Sequence, residues 1–162
     1  MNKIRKRGLL LVLVFGLLAS AALAADNPGL CPVLGKKASL SNSCKYGGET
    51  YYFCNPECVI NFQKDPEKYL SRIKKITLLA QTYSFLPLEI KMKQGDIVQI
   101  TFIAKNVNRS LIIKEYGINV SVIQNEEKKI EFLADKKGTF IFRSPLVYVG
   151  KKSEMTGRLI VE

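Results

Sequence analysis

The sequence predicts a mainly β protein, a small α+β module followed by a β-sandwich, and three observations carry that expectation. Downstream of Lys75 the chain runs in short alternating apolar and polar stretches, separated by turn signals at roughly ten-residue spacing, as a sandwich requires. All four cysteines fall between Cys31 and Cys58. Among them and just after them lie an aromatic strand and two Asx-Pro pairs that read as helix starts.

In chain order, Lys3, Arg5, Lys6 and Arg7 form a positive n-region. Leu9 to Leu18 is an apolar run of about ten residues, too short to span a bilayer comfortably. Ala22-Leu23-Ala24 then places small residues where a signal peptidase reads. Residues 1–24 are therefore expected to be an export signal cut before Ala25, leaving a periplasmic or extracellular protein with no transmembrane segment. Removing the four basic residues leaves 21 basic against 14 acidic, so the formal charge of +11 falls to +7. The remaining charges are scattered pairs such as Lys36-Lys37, Lys74-Lys75 and Lys136-Lys137, the pattern of a solvated surface rather than a nucleic-acid stripe. No nucleic-acid partner is expected.

Residues 25–74 form the first expected module. About 50 residues is a size at which a core alone is marginal and a staple or a metal is usually needed. Gly47-Gly48 supplies a hairpin turn and Tyr51-Tyr52-Phe53-Cys54 the returning strand. Asn55 caps a helix with Pro56 at its first position, running through Cys58, Ile60 and Phe62. Asp65-Pro66 repeats the device for a second helix carrying Tyr69, Leu70 and Ile73. Residues 75–162 form the sandwich, with six or seven strands expected around Leu88–Met92, Ile97–Phe102, Leu111–Ile113, Val120–Val122, Ile130–Phe132, Thr139–Phe142 and Arg158–Val161.

The chain contains no His. That excludes Ser-His-Asp and Cys-His catalytic units and every imidazole-bearing metal site. Any metal must rest on thiolate, thioether, carboxylate or backbone oxygen. No acid–base pair, activated nucleophile or phosphate loop is legible, so an enzyme is not expected. Cys54 and Cys58, four apart at a strand end and in the first turn of a helix, direct both sulfurs to one point, and the helix N-terminus favours thiolate.

Cys31-Pro32-Val33-Leu34-Gly35, Tyr46-Gly47-Gly48, Tyr51-Tyr52-Phe53-Cys54, Cys58, Phe62 and Asp65-Pro66-Glu67-Lys68-Tyr69 together resemble the YHS domain, over about residues 29 to 73. This family is a small treble-clef-like module of metal-handling proteins. The resemblance implies a metal on clustered Cys, with Cys31, Cys44, Cys54 and Cys58 as the available ligands and Zn or Cu(I) as the ions such donors suit. The first knuckle departs from the family's Cys-Pro-Val-Cys-Gly, because Leu34 takes the second Cys position and Cys44 is the only Cys left to replace it. The family's usual His is also missing. An even count of four Cys in an oxidising compartment reads equally as a disulfide framework, with Cys31–Cys44 and Cys54–Cys58 one pairing among three. Both readings stand open.

Phe85-Leu86-Pro87-Leu88-Glu89-Ile90, Lys93-Gln94-Gly95-Asp96, Glu115-Tyr116-Gly117-Ile118, Phe132-Leu133-Ala134-Asp135 and Met155-Thr156-Gly157-Arg158-Leu159 resemble the cupredoxin family, nearest to the copper domains of cytochrome oxidase subunit II and nitrous oxide reductase. The resemblance implies a Greek-key β-sandwich and a copper site of His, Cys, His and Met. Here Arg109 falls at the first His, Val149 at the Cys and Lys152 near the second His, in a loop running from Arg143 to Met155; only Met155 remains. Blue copper needs two imidazoles and a thiolate, so neither type 1 nor dinuclear copper is expected in this domain, and Met155 reads as a packing residue. Arg109, Arg143 and Lys152 would surround the vacated position as an anion or partner-docking patch, or else be solvated loop charges. The function expected is an exported metal-handling protein. The alternative is a metal-free, disulfide-stapled accessory subunit of a respiratory or copper-enzyme assembly, and in either case the partner is a periplasmic or membrane-bound metalloprotein.

Overall fold

The structure, a computed structural model, describes residues 27–148 and 151–162. The expected export signal and Val149 lie outside the described residues. Among those that are described, no helix is long and apolar enough to cross a membrane.

The first module opens with a loop closed on itself: Cys31 N donates to Lys36 O at 2.7 Å, Gly35 N to Cys31 O at 2.8 Å and Ala38 N to Gly29 O at 2.9 Å. Strands β1 (Ser39–Tyr46) and β2 (Glu49–Phe53) form an antiparallel hairpin. Gly47 and Gly48 at its tip both take positive φ, 57° and 84°, which a two-residue primed turn demands and a side chain resists. Helix α1 (Pro56–Lys64) starts as its sequence requires, the Asn55 side-chain Oδ1 accepting from Cys58 N at 2.9 Å. Cys58 and Phe62, one turn apart, face inward together. Ile60, two positions round the helix from Cys58, is exposed. Asp65 ends α1 and caps α2 (Pro66–Leu70), accepting Lys68 N at 3.2 Å. The buried residues Cys31, Ala38, Phe53, Cys58 and Phe62 make the core, with Tyr46, Tyr51, Phe53 and Tyr69 ringed around Phe62 at centroid distances of 5.1–6.4 Å.

Ile73 belongs to no helix. It opens β3 (Ile73–Ala80), which pairs in parallel with β6 (Ile97–Ala104) over eight residues, from Ile73↔Ile97 to Ala80↔Ala104. The sandwich therefore begins two residues before the expected boundary, and α2 passes into β3 through Ser71 and Arg72 alone. The remaining strands are β4 (Phe85–Leu86), β5 (Glu89–Met92), β7 (Arg109–Ile113), β8 (Ile118–Val122), β9 (Glu127–Leu133), β10 (Gly138–Tyr148) and β11 (Lys151–Val161). Among the described residues of the sandwich, nine strands stand where six or seven were expected, the additions being β3 and the short β4. They form two sheets, β4-β3-β6-β9 and β5-β11-β10-β7-β8. The chain crosses repeatedly between them, as in Greek-key sandwiches, and the fold is a cupredoxin-like β-sandwich.

Inward-facing residues of both sheets meet in an apolar core that includes Leu78, Phe85, Phe102, Leu111, Phe142 and Leu159. Phe142 packs edge-on to Phe85 with centroids 5.0 Å apart. Its ring lies directly over Gly157, where a Cβ would collide with the ring and come within 2.9 Å of Leu88 O. Met155 is buried in the same core.

Candidate metal centre

Three of the four cysteines converge. The Sγ atoms of Cys31, Cys54 and Cys58 all lie within 4.8 Å of one another, and Cys54 and Cys58 stand 3.7 Å apart. Three separate elements deliver them: the Cys31–Gly35 loop, the end of β2 and the first turn of α1. Cys31 and Cys58 are buried and Cys54 is half-buried. All four cysteines are free thiols.

The fourth does not join. Cys44 lies on β1 opposite Tyr51, and its thiol donates outward to Lys45 O at 3.6 Å. The Cys31–Cys44 pairing considered above does not match this arrangement, since Cys31 faces Cys54 and Cys58. The reason is geometric. Cys44 sits mid-strand in the hairpin, while the knuckle loop docks at its far end, where Phe53, Cys54 and the start of α1 meet.

The trio is not electrostatically uniform. Burial pushes the Cys31 thiol up, but stabilisation of its thiolate by the backbone of Cys54, Leu34 and Val33 outweighs burial, and the net direction is down. Cys58 is pushed up to about 12, first by burial and then by the hydrogen bonds and negative charge of Cys54 and Cys31. The thiolate form is thus favoured at one sulfur and disfavoured at its neighbour. Three thiolates this close require a cation to neutralise them.

These residues fit a thiophilic metal. With metal–sulfur bonds of about 2.3 Å, two ligands of a tetrahedral ion stand about 3.8 Å apart, against the 3.7 Å between Cys54 and Cys58. Such a site takes three protein sulfurs and leaves a fourth position open. Leu34, at the position where the resemblance places a second Cys, supplies its backbone N–H rather than a ligand, and its side chain is exposed.

The residues singled out in the sandwich are held by other contacts. Arg109 is drawn into backbone contacts, Nε donating to Gln81 O at 3.3 Å, Nη1 to Asn108 O at 3.2 Å and Nη2 to Thr82 O. Arg143 instead pairs with Glu154 at 3.4 Å. The described contacts do not bring the two together, and the side chain of Lys152 lies outside the described residues. A hollow of about 220 Å³ beside Arg109 is lined by Asn108, Ser110, Ser121, Val122, Ile123 and Pro145 and contains no thiol or carboxylate. Residues 143–148 and 151–155, expected as parts of a loop, instead pair as a ladder: Ser144 with Met155, Pro145 with Glu154 and Leu146 with Ser153.

Two further residues bear on the thiol site although neither was singled out in the sequence. Arg72, in the link between α2 and β3, and Glu131, on β9, both bond to the backbone of the Cys31 loop.

The chain is thus a YHS domain with a thiol cluster, joined to a cupredoxin-like sandwich. The family model of the YHS domain matches residues 36–73; Cys31 lies just upstream of that range and the fold brings it in. The nitrous-oxide reductase of Ralstonia nicotianae is 32% identical over 109 residues, covering 61% of this chain and 17% of that enzyme, so the chain spans about a sixth of the relative's length. Among solved structures, a haem-copper terminal oxidase dimer is 27% identical over 55% of this chain and 65% of its own, with a TM-score of 0.48. The periplasmic domain of cytochrome oxidase subunit II of Bradyrhizobium japonicum is 11% identical over 55% of this chain and 83% of its own, also at 0.48.

Proposed function

We propose that the chain is an exported, non-enzymatic metal-handling protein, whose YHS domain holds one soft ion, Cu(I) or Zn(II), on Cys31, Cys54 and Cys58. The observation that carries this reading is the convergence of the three sulfurs within 4.8 Å. An open fourth position suits capture and transfer, because an incoming ligand can attach before the outgoing sulfurs let go. The natural recipient is a periplasmic or membrane-bound metalloprotein. The sandwich serves as a copper-free scaffold or docking surface: the sequence has no imidazole, Arg109 stands where a ligand would, and Met155 is packed in the core. Purified from the exported compartment, the protein should carry about one equivalent of metal with four titratable thiols.

A second reading draws on the 3.7 Å between Cys54 and Cys58. A disulfide of an oxidising compartment would accept the two electrons and two protons of that pair by thiol–disulfide exchange and be reduced to a dithiol. The site then loses two ligands, and the chain becomes a metal-free, disulfide-stapled accessory subunit of a respiratory or copper-enzyme assembly. The same measurement separates the two, since this reading requires no metal and two titratable thiols fewer.

A further inference from the structure

The two modules meet at the Cys31 loop, and the meeting is specific. Glu131, on the outer face of β9, receives Leu30 N at 2.7 Å through one carboxylate oxygen and Gln99 Nε2 at 2.8 Å through the other. Arg72, between α2 and β3, donates twice to Gly95 O, at 3.1 and 2.6 Å, and once to Val33 O at 3.1 Å. Gly35 closes the loop against Leu133, so tightly that a Cβ there would stand 2.7 Å from the leucine methyl. Three points of the knuckle, Leu30, Val33 and Gly35, are thereby tied to the sandwich or to the junction, while Cys54 and Cys58 belong to the hairpin and α1.

The Arg72 contact reaches the sulfur by a short route. Val33 C=O and Leu34 N–H belong to one planar peptide group and point in opposite directions. The guanidinium holds the carbonyl side of that plane, and the N–H on its other side is one of the backbone groups that favour the Cys31 thiolate. Holding one fixes the other, and a hydrogen bond at the carbonyl strengthens donation from the N–H.

We propose that Arg72 and Glu131 are positioning residues of the thiol site, clamping the Cys31 knuckle to the outer face of the β4-β3-β6-β9 sheet so that its sulfur meets those of Cys54 and Cys58. The sandwich is then a structural part of the metal centre. This inference rests on the metal-binding reading above. Partners of this kind around a metal site typically contribute 10–100-fold to affinity.

The test uses the full chain with Co(II) as a spectroscopic probe, whose thiolate-to-metal charge-transfer band counts sulfur ligands. Arg72→Gln and Glu131→Gln should each bind Co(II) about 10–100-fold more weakly, with the band reduced to the two-sulfur intensity set by Cys31→Ser. Arg72→Lys, a single point donor without the fork, should recover part of the affinity. A second arm needs no metal: a small alkylating reagent should spare Cys31 in the unsubstituted protein and modify it in both variants at a rate approaching that of Cys44. Variants that keep the three-sulfur band and the protection of Cys31 overturn the clamp, even where their melting temperature falls. An unsubstituted protein that gives no Co(II) band overturns the metal-binding reading instead, and the alkylation arm alone then decides the clamp.

Discussion

In the YHS domain, two of the five buried core residues, Cys31 and Cys58, carry thiols, whereas the core of the sandwich draws aliphatic and aromatic side chains from both sheets and its only sulfurs are the thioethers of Met92 and Met155. The small module thus places reactive groups where a larger domain places packing. On the metal-binding reading, its interior is complete only when the thiols have something to bind, and the sandwich is complete already. The comparison separates two kinds of dependence: the first module on its ligand, the second on shape.

Substitutions should divide along that line. The largest expected effect is Phe102→Ala in the fully buried sandwich core, which should cost about 3–5 kcal/mol in denaturant unfolding. Next come Cys31→Ser and Cys58→Ser, each expected to weaken Cu(I) binding beyond the roughly 100-fold that marks the upper range for supporting residues; a chelator competition checks this, and Cys44→Ser in the same assay should be neutral. If Cys44→Ser weakened binding as much as Cys58→Ser, the division between the trio and the outlying cysteine would collapse.

Gly157→Ala should destabilise the sandwich by about 1–3 kcal/mol, because the added methyl overpacks against Phe142, while metal stoichiometry stays unchanged. The pH dependence follows from Cys58. Its thiol, raised to about 12, holds its proton at neutral pH and must release it to become a thiolate ligand, so metal affinity should rise with pH, by up to about tenfold per unit for each proton released. Competition titrations at pH 6 and pH 8 give the slope; a flat profile would mean that Cys58 is not a ligand. The smallest effect is Asn55→Ala, which removes the α1 cap and should cost about 1 kcal/mol, read in the thermal unfolding of the metal-free chain.

What was legible in the sequence was local. Gly47-Gly48, Asn55-Pro56 and Asp65-Pro66 determine their own turns and caps through neighbouring backbone, and each forms where it was expected. The strand β3 was not legible, because its run Ile73-Lys74-Lys75-Ile76-Thr77-Leu78-Leu79-Ala80 alternates poorly and follows a helix directly; its parallel pairing with β6 is what makes it a strand. The extension of β10 and β11 was hidden for the same reason, with Pro145 and a cluster of charges obscuring a ladder fixed by register across the hairpin.

The thiol site divides the same way. Cys54 and Cys58 were readable from their spacing, and Cys31 from its knuckle. That Cys44 stands outside the group is a fact of strand register, which spacing does not encode. Arg72 and Glu131 carry no motif at all. Only the docking of the two modules brings them to the Cys31 loop.

The central claim is a three-sulfur site made by Cys31, Cys54 and Cys58, and X-ray absorption on the Cu(I)-loaded full chain tests it most directly. The account predicts three sulfur neighbours in the unsubstituted protein, the same three in Cys44→Ser, and fewer in Cys31→Ser. Four sulfurs that become three in Cys44→Ser would contradict it, as would a chain that takes up no metal because Cys54 and Cys58 are joined.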